Sequence, residues 1–212
     1  MNEHIQARYS KLGPALAKRL ESRFFKAAYF DEPGDALEEI LRLIPRDHVV
    51  SWGGSMTLAA LGAKERLAAE GYSLLDRDKA ASAEERADIM RKALLCDTFL
   101  TSVNAISEDG QLVCVDGAGN RVAAMAYGPR QVIVVAGMNK AARTLDDAVA
   151  RARNLAAPTN ALRFPGGAPC RASGACHDCA SADSACSLIV TTRLCKPAGR
   201  IKVILVGKDL GF

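Results

Sequence analysis

Four cysteines fall within 17 residues, Cys170, Cys176, Cys179 and Cys186, with the spacing C-x5-C-x2-C-x6-C. Thiolates this close along the chain can close on one tetrahedral ion or on one cubane cluster. The residues between them are mostly small, which lets the backbone wrap a metal. Metal binding would also supply folding energy that a stretch of Pro, Gly, Ala and Ser cannot draw from a core of its own. The competing reading is four reduced thiols in a surface loop. Only one CxxC is present, and the other spacings match neither a zinc ribbon nor a standard ferredoxin. The group expected is a [4Fe–4S] cluster, with zinc as the alternative. His177, inside the CxxC, reads as a polar loop residue. Cys195 reads as a small core residue, and Cys96 and Cys114 as buried, inert thiols.

A second chemistry is written in two glycine turns. Ser51-Trp52-Gly53-Gly54-Ser55-Met56-Thr57 follows an apolar run and opens a helical pattern. Gly53 and Gly54 let the backbone approach a ligand, and backbone N–H groups with the Ser55 and Thr57 hydroxyls favour an anion. Asp116-Gly117-Ala118-Gly119-Asn120-Arg121 repeats the arrangement after another apolar run. Asn104 and Lys140 stand at the ends of two further strand patterns, Lys140 supplying positive charge. In an open parallel sheet such strand ends gather at one crevice. The candidate ligand-binding residues are therefore Gly53, Gly54, Ser55, Thr57, Asn104, Asp116, Gly117, Gly119, Asn120 and Lys140. Each of them could instead be a turn former; their shared position at strand ends is the better argument. Arg163 is placed by its position to lie between the crevice and the cysteines.

The elements that must position these residues alternate along the chain. A helix is expected over residues 4–29, with Gly13-Pro14 as the place where it would break or kink. A second helix follows Pro33-Gly34 and stops at Pro45. His48–Trp52 is a short buried strand, followed by a helix over about 56–70 that Gly71 ends. Tyr72–Leu75 is a strand, and Ser82–Leu95 a helix opened by a capping box of Ser82 and Glu85. Phe99–Val103, Leu112–Val115, Gln131–Ala136 and Ile201–Val206 are strands. Gly119–Tyr127 and the stretch capped by Thr144 and Asp147 are helices. Strands alternating with helices of this length give an α/β fold: a mainly parallel, Rossmann-like sheet with helices on both faces. The whole of 1–212 reads as one domain, with residues 158–186 a cysteine-rich insertion too long and aperiodic to be an ordinary connection.

Several pieces taken together resemble the LUD domain, named for bacterial lactate-utilisation proteins. They are Ser51–Ser55, Ser102–Ile106, Asp116–Met125, Gly137–Lys140 and Ala156–Asn160. The resemblance covers nearly the whole chain, and the cysteine loop resembles a subgroup of single-domain members. It implies the fold of the sugar-phosphate isomerase and CoA-transferase superfamily, whose ligands are typically phosphorylated sugars, CoA esters or nucleotides. It also implies a link to an iron–sulfur complex that oxidises L-lactate to pyruvate. Related isomerases carry a catalytic aspartate where this chain has Asn104, which cannot act as a general acid or base. The leading expectation is thus an accessory protein in the oxidation of lactate or a similar hydroxy acid, with iron–sulfur or redox partner proteins. The alternatives are an isomerase or transferase acting on a phosphorylated or CoA-linked substrate, and a metabolite-binding regulatory module with structural zinc.

Composition excludes other classes. A net charge of +4 spread over 212 residues is no basic stripe, and 5% aromatic residues give no base-stacking platform, so nucleic acid is not expected. No run reaches the roughly 20 apolar residues that span a bilayer. The charged start, MNEHIQARYSKLGPALAKRL, is not a signal peptide, and a cytoplasmic protein is expected. Neither a flavin nor a nicotinamide fingerprint is evident, since GxGxxG is absent. Oligomerisation stays open.

Overall fold

The runs Gln131–Gly137 (β7) and Ile201–Val206 (β10) are almost wholly apolar and β-branched, so they suit a strand covered on both faces. The computed structural model, which describes residues 2–212, places them side by side at the centre of a six-stranded sheet. Around them lie β1 (Lys26–Phe30), β2 (Val49–Trp52), β3 (Ser73–Leu75) and β4 (Thr98–Thr101) in the order β1-β10-β7-β4-β2-β3. Every pairing in this sheet is parallel. Alternate residues of β7 feed two cores. Val132, Val134 and Ala136 join Leu16 and Leu20 of α1 (Glu3–Glu21), while Ile133 and Val135 join Ile40 of α2 (Pro33–Arg42). Helices therefore cover both faces, as the α/β pattern requires.

A second sheet of four strands flanks the first, in the order β8-β5-β6-β9: β8 (Ala141–Ala142), β5 (Ala105–Ser107), β6 (Leu112–Asp116) and β9 (Leu188–Thr192). Its pairings of β6 with β5 and β9 are antiparallel. Ala105, Val113 and Val115 on one face pack with Ala148 of α7 (Leu145–Arg151), and Ile106, Leu112 and Cys114 on the other join the large core. The apolar run of β6 predicts it, but β5, with three residues, and β9, half-exposed, are not expected from the sequence.

The structure corrects several boundaries. The helix expected over 4–29 ends at Glu21, and Phe24, at φ 65°, turns the chain into β1. Gly13-Pro14 does not break α1. Gly13 instead lets the helix lie against β1, because a Cβ there would sit 2.1 Å from the Tyr29 ring. The helix expected over 56–70 is interrupted at Leu61-Gly62 into α3 (Met56–Ala60) and α4 (Ala63–Ala69). Ser82 caps α5 (Ala83–Lys92) by accepting from the Glu85 N–H, but the Glu85 carboxylate accepts from Ala81 N rather than closing the box. At α7 the box of Thr144 and Asp147 is complete. The segment 158–186 is not entirely irregular. It begins within α8 (Ala157–Ala161) and carries α9 (Pro169–Ser173).

Candidate functional site

At the carboxyl ends of β2, β4 and β7 the chain turns away from the sheet, and there a crevice of about 300 Å³ opens. That volume suits a small metabolite. The expected residues Gly54, Ser55, Thr57, Asn104, Asp116, Gly117, Asn120 and Lys140 all stand on its wall. Gly53 and Gly119 do not. Gly53 is buried behind the wall against Thr101, and Gly119, at φ 83°, precedes α6 (Asn120–Ala126).

Lys140 is carried below the end of β7 by a single tight turn, Met138–Lys140. Its ammonium is buried and donates to Thr57 Oγ1 at 2.9 Å, Ser102 Oγ at 2.9 Å and the Val103 carbonyl at 3.1 Å. Burial, then the charges of Arg151 and Arg121, hold its pKa down at about 7. Thr57 Oγ1 also faces the Leu210 carbonyl at 3.2 Å, and Asn139 holds the Leu210 N–H and the Gly211 carbonyl, so the 210–212 segment folds over this end of the crevice.

Three of the expected polar residues, Asp116, Asn104 and Ser55, have structural duties. The Asp116 carboxylate accepts from the Gly119 N–H at 3.3 Å, the Val122 N–H at 3.2 Å and Arg121 Nε at 3.3 Å, which anchors the start of α6. The Asn104 Oδ1 accepts from the Val115 N–H at 2.9 Å and fixes the turn between β4 and β5 to β6. Ser55 Oγ accepts from the Leu58 N–H at 3.2 Å as the cap of α3.

Four arginines complete the wall: Arg77, Arg86, Arg121 and Arg163. Arg163 was placed here by its position alone, while Arg77 and Arg86 belong to no motif in the sequence. Arg77 follows β3, and its guanidinium is largely buried. Its Nη1 points at the Met90 sulfur at 3.3 Å, and its buried Nε has no hydrogen-bond partner. Burial, and next Arg86, lower its pKa. Arg86 donates to the Arg77 carbonyl and to Asp78. Arg163 donates to Asn160 Oδ1 at 3.0 Å. Counting Lys140, five cationic side chains face one carboxylate, Asp116, across the crevice.

The LUD domain profile matches residues 14–206. The chain belongs to the LUD-domain family. A DUF162 family protein from Deinococcus radiodurans, solved at 1.70 Å, resembles it with a TM-score of 0.54 at 12% identity, over 93% of this chain and 98% of that one; at such identity the likeness speaks for the fold alone. Ribose 5-phosphate isomerase A from Neisseria gonorrhoeae overlaps 53% of this chain and 54% of its own, with a TM-score of 0.35 at 13% identity. No curated protein matches the chain.

Beside the crevice of this LUD domain lies a smaller cavity of about 60 Å³, and all four loop cysteines line it. Cys170 is on α9, Cys176 and Cys179 follow it, and Cys186 precedes β9. All four are free thiols and half-buried. Among the described residues, no group of three or more His, Cys, Asp or Glu side chains is placed to hold a single metal ion. His177 lines the cavity but its Nε2 is 2.6 Å from Ser173 Oγ, a hydrogen bond within the loop. Cys96, Cys114 and Cys195 are buried elsewhere, and burial pushes the Cys96 thiol up to about 12. Among the described residues, no helix is long and apolar enough to cross a membrane.

Proposed function

We propose that this LUD-domain protein is an accessory protein in the oxidation of lactate or a similar hydroxy acid, and that its crevice takes an anionic metabolite. The reading is carried by the charge of the wall: five cationic side chains against a single carboxylate that is already engaged by α6. The buried Lys140 ammonium has no carboxylate beside it, and the largely buried Arg77 guanidinium has only Asp78, 3.9 Å from its Nε, so both charges are costly. An anion in the crevice offsets that cost in the bound state. Hydroxy acids and their keto products are small carboxylates and fit a volume of about 300 Å³. Such an oxidation needs an electron acceptor, and the loop cysteines are the residues of this chain with the chemistry to hold one.

A second reading is an isomerase or transferase acting on a phosphorylated or CoA-linked substrate. The observation in its favour is Lys140, whose amine titrates near neutrality at the crevice and can take or give a proton. Asp116 is a poor candidate for that role, because its carboxylate anchors α6, and Asn104 lacks a carboxyl group.

Calorimetric titration with lactate, pyruvate, sulfate, inorganic phosphate, a sugar phosphate and CoA separates the two. Binding of lactate or pyruvate supports the first reading. Binding of the sugar phosphate or CoA without the hydroxy acid supports the second. If Ser55→Ala combined with Lys140→Ala leaves every affinity unchanged, the crevice is not the site.

A further inference from the structure

We propose that Cys170, Cys176, Cys179 and Cys186 ligate one [4Fe–4S] cluster, and that this cluster braces the wall of the neighbouring anion crevice. The four thiols are spread over 17 residues of sequence, yet the fold brings all of them to one cavity of about 60 Å³. A single water needs only about 10–15 Å³ of such space, so the cavity holds a group several times larger than one ion or one water. A single zinc would draw each sulfur to about 2.3 Å from one point, whereas the cavity between these four thiols has room for a larger group. In a cubane each cysteine binds its own iron at a separate corner, so the sulfurs stand around a core.

The backbone between the ligands is shaped for the purpose. Gly174, in the left-handed region, ends α9 four residues after Cys170. Asp178, between Cys176 and Cys179, also has a positive φ, 49°. Asp is among the few residues with a side chain that adopt this left-handed conformation readily, and it turns the CxxC back on itself so that both thiols reach the same space. Arg153, the cation on this cavity's wall, is paired with Asp178.

Two elements are shared by the cavity and the crevice. Ala185 lies against Gly117 on the crevice wall, 3.4 Å from where a Cβ would stand, and the next residue is the ligand Cys186. On α8, Ala157 and Pro158 face the cysteines while Asn160 faces the crevice, with Arg163 just beyond the helix. Gly167 N–H donates to Asp183 at 2.6 Å, joining the two ends of the loop. A cluster that draws Cys170 and Cys186 together therefore fixes Ala185 and Arg163 against the anion site.

The cluster stands without the crevice reading; its effect on the crevice rests on it. The test uses the full chain purified without oxygen, assayed for iron, acid-labile sulfide and visible absorption, and titrated with inorganic phosphate. About four iron and four sulfide per chain are expected. Both should be lost in Cys176→Ser with Cys179→Ser, and phosphate affinity should fall at least fivefold, the lower end of ordinary coupling between sites. Circular dichroism checks that the double variant folds. Wild-type protein stripped with chelator and oxidant, then rebuilt with ferrous iron and sulfide, supplies the same comparison without a substitution. Zinc near one per chain, or no metal in either preparation, overturns the cluster. A full cluster whose removal leaves phosphate affinity unchanged overturns its bracing of the crevice wall. If wild-type protein binds no anion at all, the proposed function fails, and the iron and sulfide counts still decide the cluster.

Discussion

The ammonium of Lys140 lies 2.9 Å from the Thr57 hydroxyl, inside the protein, and no carboxylate among the described residues forms an ion pair with it. Three neutral oxygens satisfy its hydrogens but do not answer its charge. Its pKa in the folded chain is about 7, against about 10.5 when exposed. Below pH 7 the group is charged in both states, so the full burial cost is present. Between pH 7 and about 10.5 the unfolded chain holds the proton and the folded chain does not, so stability rises with pH, by at most about 1.4 kcal/mol per pH unit. Lys140→Met removes this dependence and should be the more stable protein at pH 6, with the gap closing by pH 9. Urea unfolding of both proteins across that range checks it, and parallel curves would show that Lys140 does not titrate there.

The same residue sets the pH dependence of binding. An anion favours the charged amine, so affinity for a ligand of constant charge should decline as pH rises through about 7. Lactate and sulfate keep their charge over pH 6–9, which isolates the protein's contribution. The expected loss is on the order of tenfold per pH unit at most, since one proton is involved. In Lys140→Met the pH profile should be flat and the affinity low throughout.

Gly54 and Arg77 test the crevice from its other wall. A Cβ on Gly54 would stand 2.5 Å from Arg77 Nη2, so Gly54→Ala must push the guanidinium aside. Arg77 already has an unsatisfied buried Nε, and little native bonding is lost when it moves. The expected result is a loss of anion affinity on the order of tenfold, as for a charge-assisted hydrogen bond of about 1.5 kcal/mol, with a small change in stability. Isothermal titration and thermal unfolding on the same protein separate the two. Unchanged affinity would remove Arg77 from the site.

How much of this was legible in the sequence depends on whether the signal was local. β7 and β10 were clear because a continuous apolar run has little use outside a doubly covered sheet. The capping box at Thr144 was clear because both partners lie within four residues. β1 was missed because Lys26-Ala27-Ala28 continues a helical composition. Only the pairing of Lys26 with Lys202 and the residues after them, across the whole chain, makes it a strand. The flanking sheet was mostly missed for related reasons: β5 and β8 have three and two residues, and β9 pairs with β6 across more than 70 residues of sequence.

The site divides likewise. Strand ends with glycine and a polar residue marked Ser55, Asn104, Asp116 and Lys140, since the parallel fold itself brings such ends together. Arg77 and Arg86 sit in a charged stretch that reads as a solvated face. Their approach to the crevice follows from the packing of α5 against the turn of residues 77–79, which no spacing encodes. For the cysteines the spacing offered only a candidate set, and the fold adds what spacing could not: all four line one cavity, set against the crevice at Ala185.

Asp116 distinguishes anchoring from catalysis. Its carboxylate holds two backbone N–H groups at the start of α6 and pairs with Arg121, whose Nη1 in turn donates to the Ser102 carbonyl beside Lys140. Removing it in Asp116→Ala leaves the first turn of a seven-residue helix without its anchor and the partly buried Arg121 guanidinium with only backbone carbonyls to answer it. A destabilisation of about 2 kcal/mol is expected, the sum of a lost cap and a lost charge-assisted bond. Asp116→Asn keeps an acceptor for one N–H and should recover about half of that. Anion affinity should change in step with folding stability and show no new pH dependence. If Asp116→Asn is as stable as the native chain yet loses turnover of a phosphorylated or CoA-linked substrate, the carboxylate serves proton transfer and the enzymatic reading takes precedence.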